Sequence, residues 1–227
     1  MSSNKEDSKV IIALDYSNKK DTLNLVSKLD KSLCNLKVGY ELFLSEGQSL
    51  IKELHKREFK IFLDLKLHDI PNTCVSAIKA IRDLKINYLT IHISSGLKAL
   101  SSAKKISGKI KLIGVTILTS LDNKSLKEIG FNKDVKKLVL HQAKLAAKAK
   151  LDAIVCSPLE VSIVKKVFKK EIITPGIRFN LKNDDQKRIL TPKQAYKNGS
   201  DWLVIGRPIT KGNIKKNIKK LIDHLNQ

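Results

Sequence analysis

Short apolar runs and amphipathic stretches alternate along the chain from residue 9 onward. Residues 9–15, KVIIALD, are an apolar run closed by an aspartate and predict a first strand. Ser17 is placed to cap the helix that follows, with Leu23, Val26 and Leu29 on its inner side. A second strand is expected over 36–42, ending near Gly39, and then a helix over 43–56. Residues 59–67 read as a third, buried strand. After Pro71, Asn72 or Thr73 is placed to cap a helix carrying Val75, Ile78, Ile81 and Leu84. Further strands are expected at 88–93, 111–118, 153–156, from Ile172, and at 202–205. Helical stretches follow them at 97–105, at 125–150 with a break near Gly130, at 159–168 and at 191–197. In the C-terminal stretch Ile214, Ile218, Leu221, Ile222 and Leu225 share one helical face.

That pattern is eight strands, each followed by a helix, in 227 residues. It predicts an α/β protein, a single-domain (β/α)8 barrel over 9–227. Residues 1–8 are polar and are expected to form a disordered or loosely held N-terminus. An open doubly wound sheet is the rival, but no GxGxxG turn follows the first strand.

In a strand, alternate side chains share a face. Phe62, Asp64 and Lys66 therefore point one way, and Leu63, Leu65 and Leu67 the other. One face suits packing under a helix, while the other carries a carboxylate and an ammonium, with Asp69 following. Buried charges are costly unless paired, so a structural ion pair at a strand end is the plain reading. Asp15, Lys37, Asp64, Lys66, Thr119, Arg178 and Arg207, however, all lie at or just past the carboxyl ends of six different strands. In a barrel those ends converge on the face where active sites are built. Gly206-Arg207 follows the last strand, where this architecture commonly binds phosphate, and Arg178 reaches the same region.

Composition narrows the function. Hydrophobic residues make up 42% of the chain and aromatics 5%, so the core is aliphatic. The net charge of +22 invites a nucleic-acid reading. Nearly all of it is lysine spread over polar helix positions, without an arginine-rich tract or an aromatic-studded basic strand, so no nucleic-acid partner is expected. Cys34, Cys74 and Cys156 are far apart and form neither a disulfide framework nor a CxxC metal site. Residues 1–8 lack the apolar core of a signal peptide, and no stretch approaches the roughly 18 apolar residues of a membrane span. A soluble, cytoplasmic protein with no membrane partner is expected.

Lys66 has two chemical options. A Schiff-base nucleophile needs a neutral amine, whereas carboxylates beside it favour the ammonium, and this argues for a proton donor. Lys37 and Asp15, from neighbouring strands, extend a row of alternating charge. Such a row suits decarboxylation, in which carbon dioxide leaves and Lys66 protonates the carbanion.

The segment DLKLHDIPNT at 64–73 closely resembles the signature of the orotidine 5′-phosphate decarboxylases. Supporting matches are ALD at 13–15, KVG at 37–39, LTS at 118–120, PGIR at 175–178, DQ at 185–186, TP at 191–192 and IGRPIT at 205–210. The resemblance implies decarboxylation of orotidine 5′-phosphate to UMP, in pyrimidine biosynthesis, with no metal or organic cofactor. It implies that Lys66 protonates C6 of the pyrimidine and that Asp64 sits beside the substrate carboxylate. Asp15 and Lys37 would contact the ribose hydroxyls, and Thr119 would lie near the base. Arg178, Gln186, Gly206 and Arg207 would hold the phosphate, Gln186 from a loop that closes over it. Asp69 and Thr73 would reach into the site of the other subunit of a homodimer. The chain departs from the family pattern in residues 179–185, which contain Phe179 and no glycine.

Three rival readings stand beside this one. A Mg²⁺-dependent decarboxylase of 3-keto sugar phosphates shares the DxKxxD core but is not expected to carry HDIPNT and IGRPIT together. The others are a Schiff-base aldolase on the same barrel and a non-catalytic nucleic-acid binder. His68 is expected in a structural hydrogen bond, Cys74 in packing, and His92 inside the barrel without a catalytic task.

Overall fold

A computed structural model describes residues 9–179 and 188–225 of the chain. The strands are β1 (Val10–Ala13), β2 (Cys34–Val38), β3 (Ile61–Leu67), β4 (Tyr88–His92), β5 (Lys111–Val115), β6 (Ala153–Val155), β7 (Glu171–Thr174) and β8 (Trp202–Ile205). All pair in parallel and in sequence order, and β1 pairs with β8 through Val10↔Leu203 and Ile12↔Ile205, which closes the barrel. This closure rules out the open sheet. The helices are α1 (Lys19–Val26), α2 (Tyr40–Lys56), α3 (Pro71–Ala80), α4 (Gly96–Ile106), α5 (Asn123–Glu128), α6 (Val135–Lys148), α7 (Val161–Val167), α8 (Pro192–Lys197), α9 (Arg207–Thr210) and α10 (Ile214–Leu225). The N-terminal residues 1–8 lie outside the described residues.

The strand period of two sorts side chains into two cores. Ile11, Ala13, Phe62, Tyr88, Ile113, Ala153, Ile173 and Val204 fill the barrel interior. Val10, Ile12, Leu36, Val38, Leu63, Leu89, Leu112 and Ile154 face outward and pack under the helices. The inward parity matters for function, because Asp15 continues the row of Ile11 and Ala13, and Lys37, Asp64 and Gly206 continue theirs. Gly114, on the outward face of β5, lets Leu151 and Ile93 approach the sheet, since a Cβ there would lie 2.8–2.9 Å from their side chains.

Two caps differ from the sequence expectation. Asn18, not Ser17, caps α1 by accepting from the Asp21 amide, and Thr22, Leu25 and Val26 form its buried face. The helix α3 begins at Pro71 with Ile70 as its N-cap, so Asn72 and Thr73 sit in the first turn. Proline is suited to that first position because its missing N–H has no intrahelical partner there. The helical region after β5 divides near Gly130 as expected, and Asp122 and Asp134 cap its two halves. Thr191 and Gln194 form a capping box at α8. Among the described residues no helix is long and apolar enough to cross a membrane.

Candidate active site

At the carboxyl ends of the strands lies a cavity of about 400 Å³. Asp15, Lys37, Asp64, Lys66, Thr119, Arg178, Gly206 and Arg207 all line it, over an apolar floor that includes Phe62, Val115, Val155 and Val204. Eight of the eleven residues singled out from the sequence are thus brought to one place. Asp69 and Thr73 instead line a separate shallow groove with Tyr40, Phe43 and Leu44. Lys66 borders both cavity and groove. Gln186 lies outside the described residues.

Four charges of alternating sign form a row across β1, β2 and β3. Lys37 Nζ is 3.8 Å from Asp15 Oδ1 and 3.3 Å from Asp64 Oδ2, and Lys66 Nζ is 2.9 Å from that same Asp64 oxygen. Asp64 is 7% exposed. Burial alone pushes its carboxyl upward, but Lys37, Lys66 and hydrogen bonds from Lys66 and Thr90 outweigh it and hold the pKa below the usual carboxylate value. The other face of Lys66 meets an aromatic ring, with Nζ 5.9 Å from the centroid of Tyr40.

Simple alternation does not continue through Lys66. Leu63 pairs with Leu89 but Leu67 pairs with Ile91, so four steps along β3 match two along β4. Lys66 takes up the excess with φ of 41°, the left-handed region that side chains other than glycine seldom adopt. Thr90 makes the irregularity affordable. Its hydroxyl accepts the Lys66 N–H at 2.8 Å and donates to Asp64 Oδ1 at 3.0 Å, replacing a lost ladder bond and fixing the carboxylate at once. Thr90 was not among the residues singled out from the sequence. The signal for it was its inward parity between Tyr88 and His92. Leu65 and Leu67 remain on the outer side, half-buried against the helices.

The flanking residues follow from this geometry. His68 Nε2 and Ser94 Oγ are 3.2 Å apart, the structural bond expected for His68. Its ring lies 5.1 Å from that of His92. Burial, then the neighbouring His68 and Lys66, lower His92 to about 4 against the opposing effect of Asp64, so His92 is neutral at pH 7. Cys74 is buried, as expected, and its thiol donates to the Asp69 carbonyl at 3.3 Å. Phe179, at the departure from the family pattern, stacks on His224 with ring centroids 5.0 Å apart.

Just past β8, Gly206 packs directly against the row of charge. A Cβ at this position would fall 2.5 Å from Asp15 Oδ2. Gly206 also serves as the N-cap of α9, whose first residue is Arg207. Arg178 is set by Ile177, which bridges Leu190, and by backbone bonds on both sides of that bridge. Arg178 and Arg207 both line the cavity, and guanidinium groups bind phosphate oxygens in a bidentate way.

Known proteins share this whole arrangement of chain. The model of the orotidine 5′-phosphate decarboxylase / HUMPS family matches residues 8–220. An orotidine 5′-phosphate decarboxylase of Actinobacillus pleuropneumoniae serotype 5b is 44% identical over 225 residues, covering 96% of this chain and 98% of the relative. One from Vibrio cholerae serotype O1 (strain ATCC 39541) is 48% identical over 212 residues, covering 90% and 92%. The crystal structure of the orotidine 5′-phosphate decarboxylase from Lactobacillus acidophilus superposes with a TM-score of 0.85 at 36% identity, covering 97% of this chain and all of that one. The barrel, its polar mouth and these matches over nearly the full length agree: the chain belongs to the orotidine 5′-phosphate decarboxylase / HUMPS family.

Proposed function

We propose that this protein decarboxylates orotidine 5′-phosphate to UMP, the closing step of pyrimidine nucleotide synthesis, with Lys66 as the proton donor. The observation that carries the reading is the Asp15–Lys37–Asp64–Lys66 row, in which one buried carboxylate oxygen is shared by two ammonium groups. The substrate carboxylate is placed beside Asp64, and the pyrimidine C6 beside Lys66 Nζ. The C6–carboxylate bond breaks, carbon dioxide departs, and its bonding electron pair stays on C6. Lys66 then transfers a proton to C6 and is left as an amine that solvent reprotonates. Enzymes lower barriers by roughly 8–23 kcal/mol, more than repulsion between two carboxylates supplies. The larger share is assigned to the ammonium of Lys66, fixed where negative charge develops and acting over an apolar floor.

Asp15 and Lys37 are assigned to the ribose hydroxyls and Thr119 to the rim near the base. Arg178, Gly206 and Arg207 are assigned to the phosphate, and Gln186 is expected to join them. The active unit is proposed to be a homodimer in which Asp69 and Thr73 complete the partner's site. In support, both side chains are exposed, stand outside their own cavity, and share their groove with Tyr40 (51% exposed) and Leu44 (79%). An apolar patch of that kind suits a protein partner.

The decisive measurement is loss of orotidine 5′-phosphate absorbance in the presence of EDTA. Sustained turnover is expected, and no turnover refutes the reading. Turnover of a 3-keto sugar phosphate that EDTA abolishes would favour the Mg²⁺-dependent alternative. The composite site is checked by mixing inactive Lys66→Ala and Asp69→Ala proteins. Recovery of activity through hybrid dimers is expected, and none would mean that each chain builds its site alone.

A further inference from the structure

The loops after β5, β6 and β7 meet at a buried ion pair to which the proposed chemistry gives no task. Arg188 is 9% exposed and Glu160 2%. Arg188 Nη1 donates to Glu160 Oε1. Its Nη2 donates to the carbonyl oxygens of Ile117, at 3.2 Å, and Leu118, at 2.8 Å. The second oxygen of Glu160 accepts the Ser157 N–H at 3.1 Å. The fork therefore ties three loops together. Ile117 and Leu118 lie past the end of β5 at Val115 and run directly into Thr119 and Ser120, all four lining the cavity. Ser157 follows Cys156, which lines the same wall.

A buried ion pair is a poor source of stability, because apolar residues of similar volume commonly fill such a site as well. Apolar residues cannot, however, bind two consecutive carbonyls of a segment that has left the sheet. A planar guanidinium can, and it presents its donors in a fixed fork. We propose that Arg188 is a positioning residue for the decarboxylase site: held by Glu160, it fixes Ile117 and Leu118 and so sets the Thr119-bearing wall against which the substrate rests. The inference rests on reading this cavity as the orotidine 5′-phosphate site. The wall stands on β5 and β6, away from the charge row on β1 to β3, so its loss affects how substrate is held more than how the proton moves.

The test uses the full chain in two forms, the double variant Arg188→Met with Glu160→Met and the single variant Arg188→Lys. The double variant removes both charges and conserves volume. The lysine keeps a charge for Glu160 but lacks the fork. For both, KM for orotidine 5′-phosphate is expected to rise about tenfold while kcat stays within about threefold, as loss of charge-assisted hydrogen bonds to the wall implies. A merely structural role reads differently, since an unfolded fraction lowers apparent kcat and leaves KM unchanged. Hydrogen exchange is followed in parallel in a peptide covering 116–121 and is expected to quicken in both variants while one covering 9–14 stays as in the native protein. An unchanged KM, or unchanged exchange at 116–121, overturns the proposal. If the native protein does not turn over orotidine 5′-phosphate, the decarboxylase reading falls, and the exchange data alone decide whether Arg188 holds this wall.

Discussion

Replacing Gly206 by alanine separates function from stability at a single atom. The new Cβ would lie 2.5 Å from Asp15 Oδ2, whereas ordinary contact begins at 3.4 Å, so the carboxylate oxygen must retreat by about 0.9 Å. The next atoms, Ala13 Cβ at 3.5 Å and Asp15 Cγ at 3.6 Å, need not move. The Asp15 side chain is 49% exposed and is free to turn toward solvent. Turning it off its preferred rotamer costs about 0.5–1.5 kcal/mol, and the melting temperature should fall by only a few degrees. Activity should suffer more, because Asp15 anchors one end of the row through Lys37, and a misplacement of about 1 Å at a reacting site costs on the order of 10²-fold. A fall in kcat/KM of about one to two orders of magnitude is therefore expected from the absorbance assay. The same substitution in an Asp15→Ala background should add little, since the clashing oxygen is gone. Wild-type activity in Gly206→Ala would refute the reasoning, and so would a full additional loss in the Asp15→Ala background.

Lys66→Ala should abolish turnover with the far-ultraviolet circular dichroism unchanged, and near-normal activity would remove Lys66 from the mechanism. Arg207→Ala should raise KM for the nucleotide without altering affinity for the phosphate-free nucleoside; equal losses would show that Arg207 does not hold the phosphate. Asp64 has a lowered pKa in the folded state, so the unfolded chain binds more protons in acid and stability rises with pH there. Its contribution is complete above the usual carboxylate pKa of about 4 and is lost as pH falls through the lower folded value. Chemical denaturation between neutral and strongly acid pH should therefore show a shallower acid slope for Asp64→Asn than for the native chain, and parallel slopes would contradict the assigned shift. Gly114→Ala drives a methyl to 2.8 Å from Leu151 and 2.9 Å from Ile93, both fully buried, and should cost about 1–3 kcal/mol of stability; an unshifted denaturation midpoint would show that the sheet gives way easily.

The barrel was legible because both of its cores follow simple periods. Trp202–Ile205 falls where an apolar run between polar loops puts it, and Asp15, Lys37 and Asp64 reach the mouth by inward parity alone. Lys66 was legible as a site residue but not in its conformation. Nothing in DLKLHD signals that a lysine will take a left-handed backbone, because the compensating hydroxyl, Thr90, comes from the next strand. Caps were missed by one residue at Asn18 and by two or three at Ile70, where several polar residues compete locally and tertiary packing decides. The Glu160–Arg188 pair was not legible at all. Its members are 28 residues apart, in a chain whose 44 lysines and arginines leave any one cation unmarked.

The pairing of β1 with β8 has a consequence for how the enzyme comes into being. The contact between Asp15 and Gly206 joins the first strand to the last across that seam. During synthesis β1 emerges first, but a domain folds as a unit, and this seam cannot be stitched until the chain has grown past Arg207. Until then Val10–Ala13 offers an unpaired edge, which strands of other molecules can occupy. The half that carries Lys66 is made early, yet it lacks Gly206 and Arg207, which line the same cavity. Catalytic competence is therefore a late event in the life of each molecule, and a chain shortened before β8 would lose activity and acquire a tendency to aggregate together.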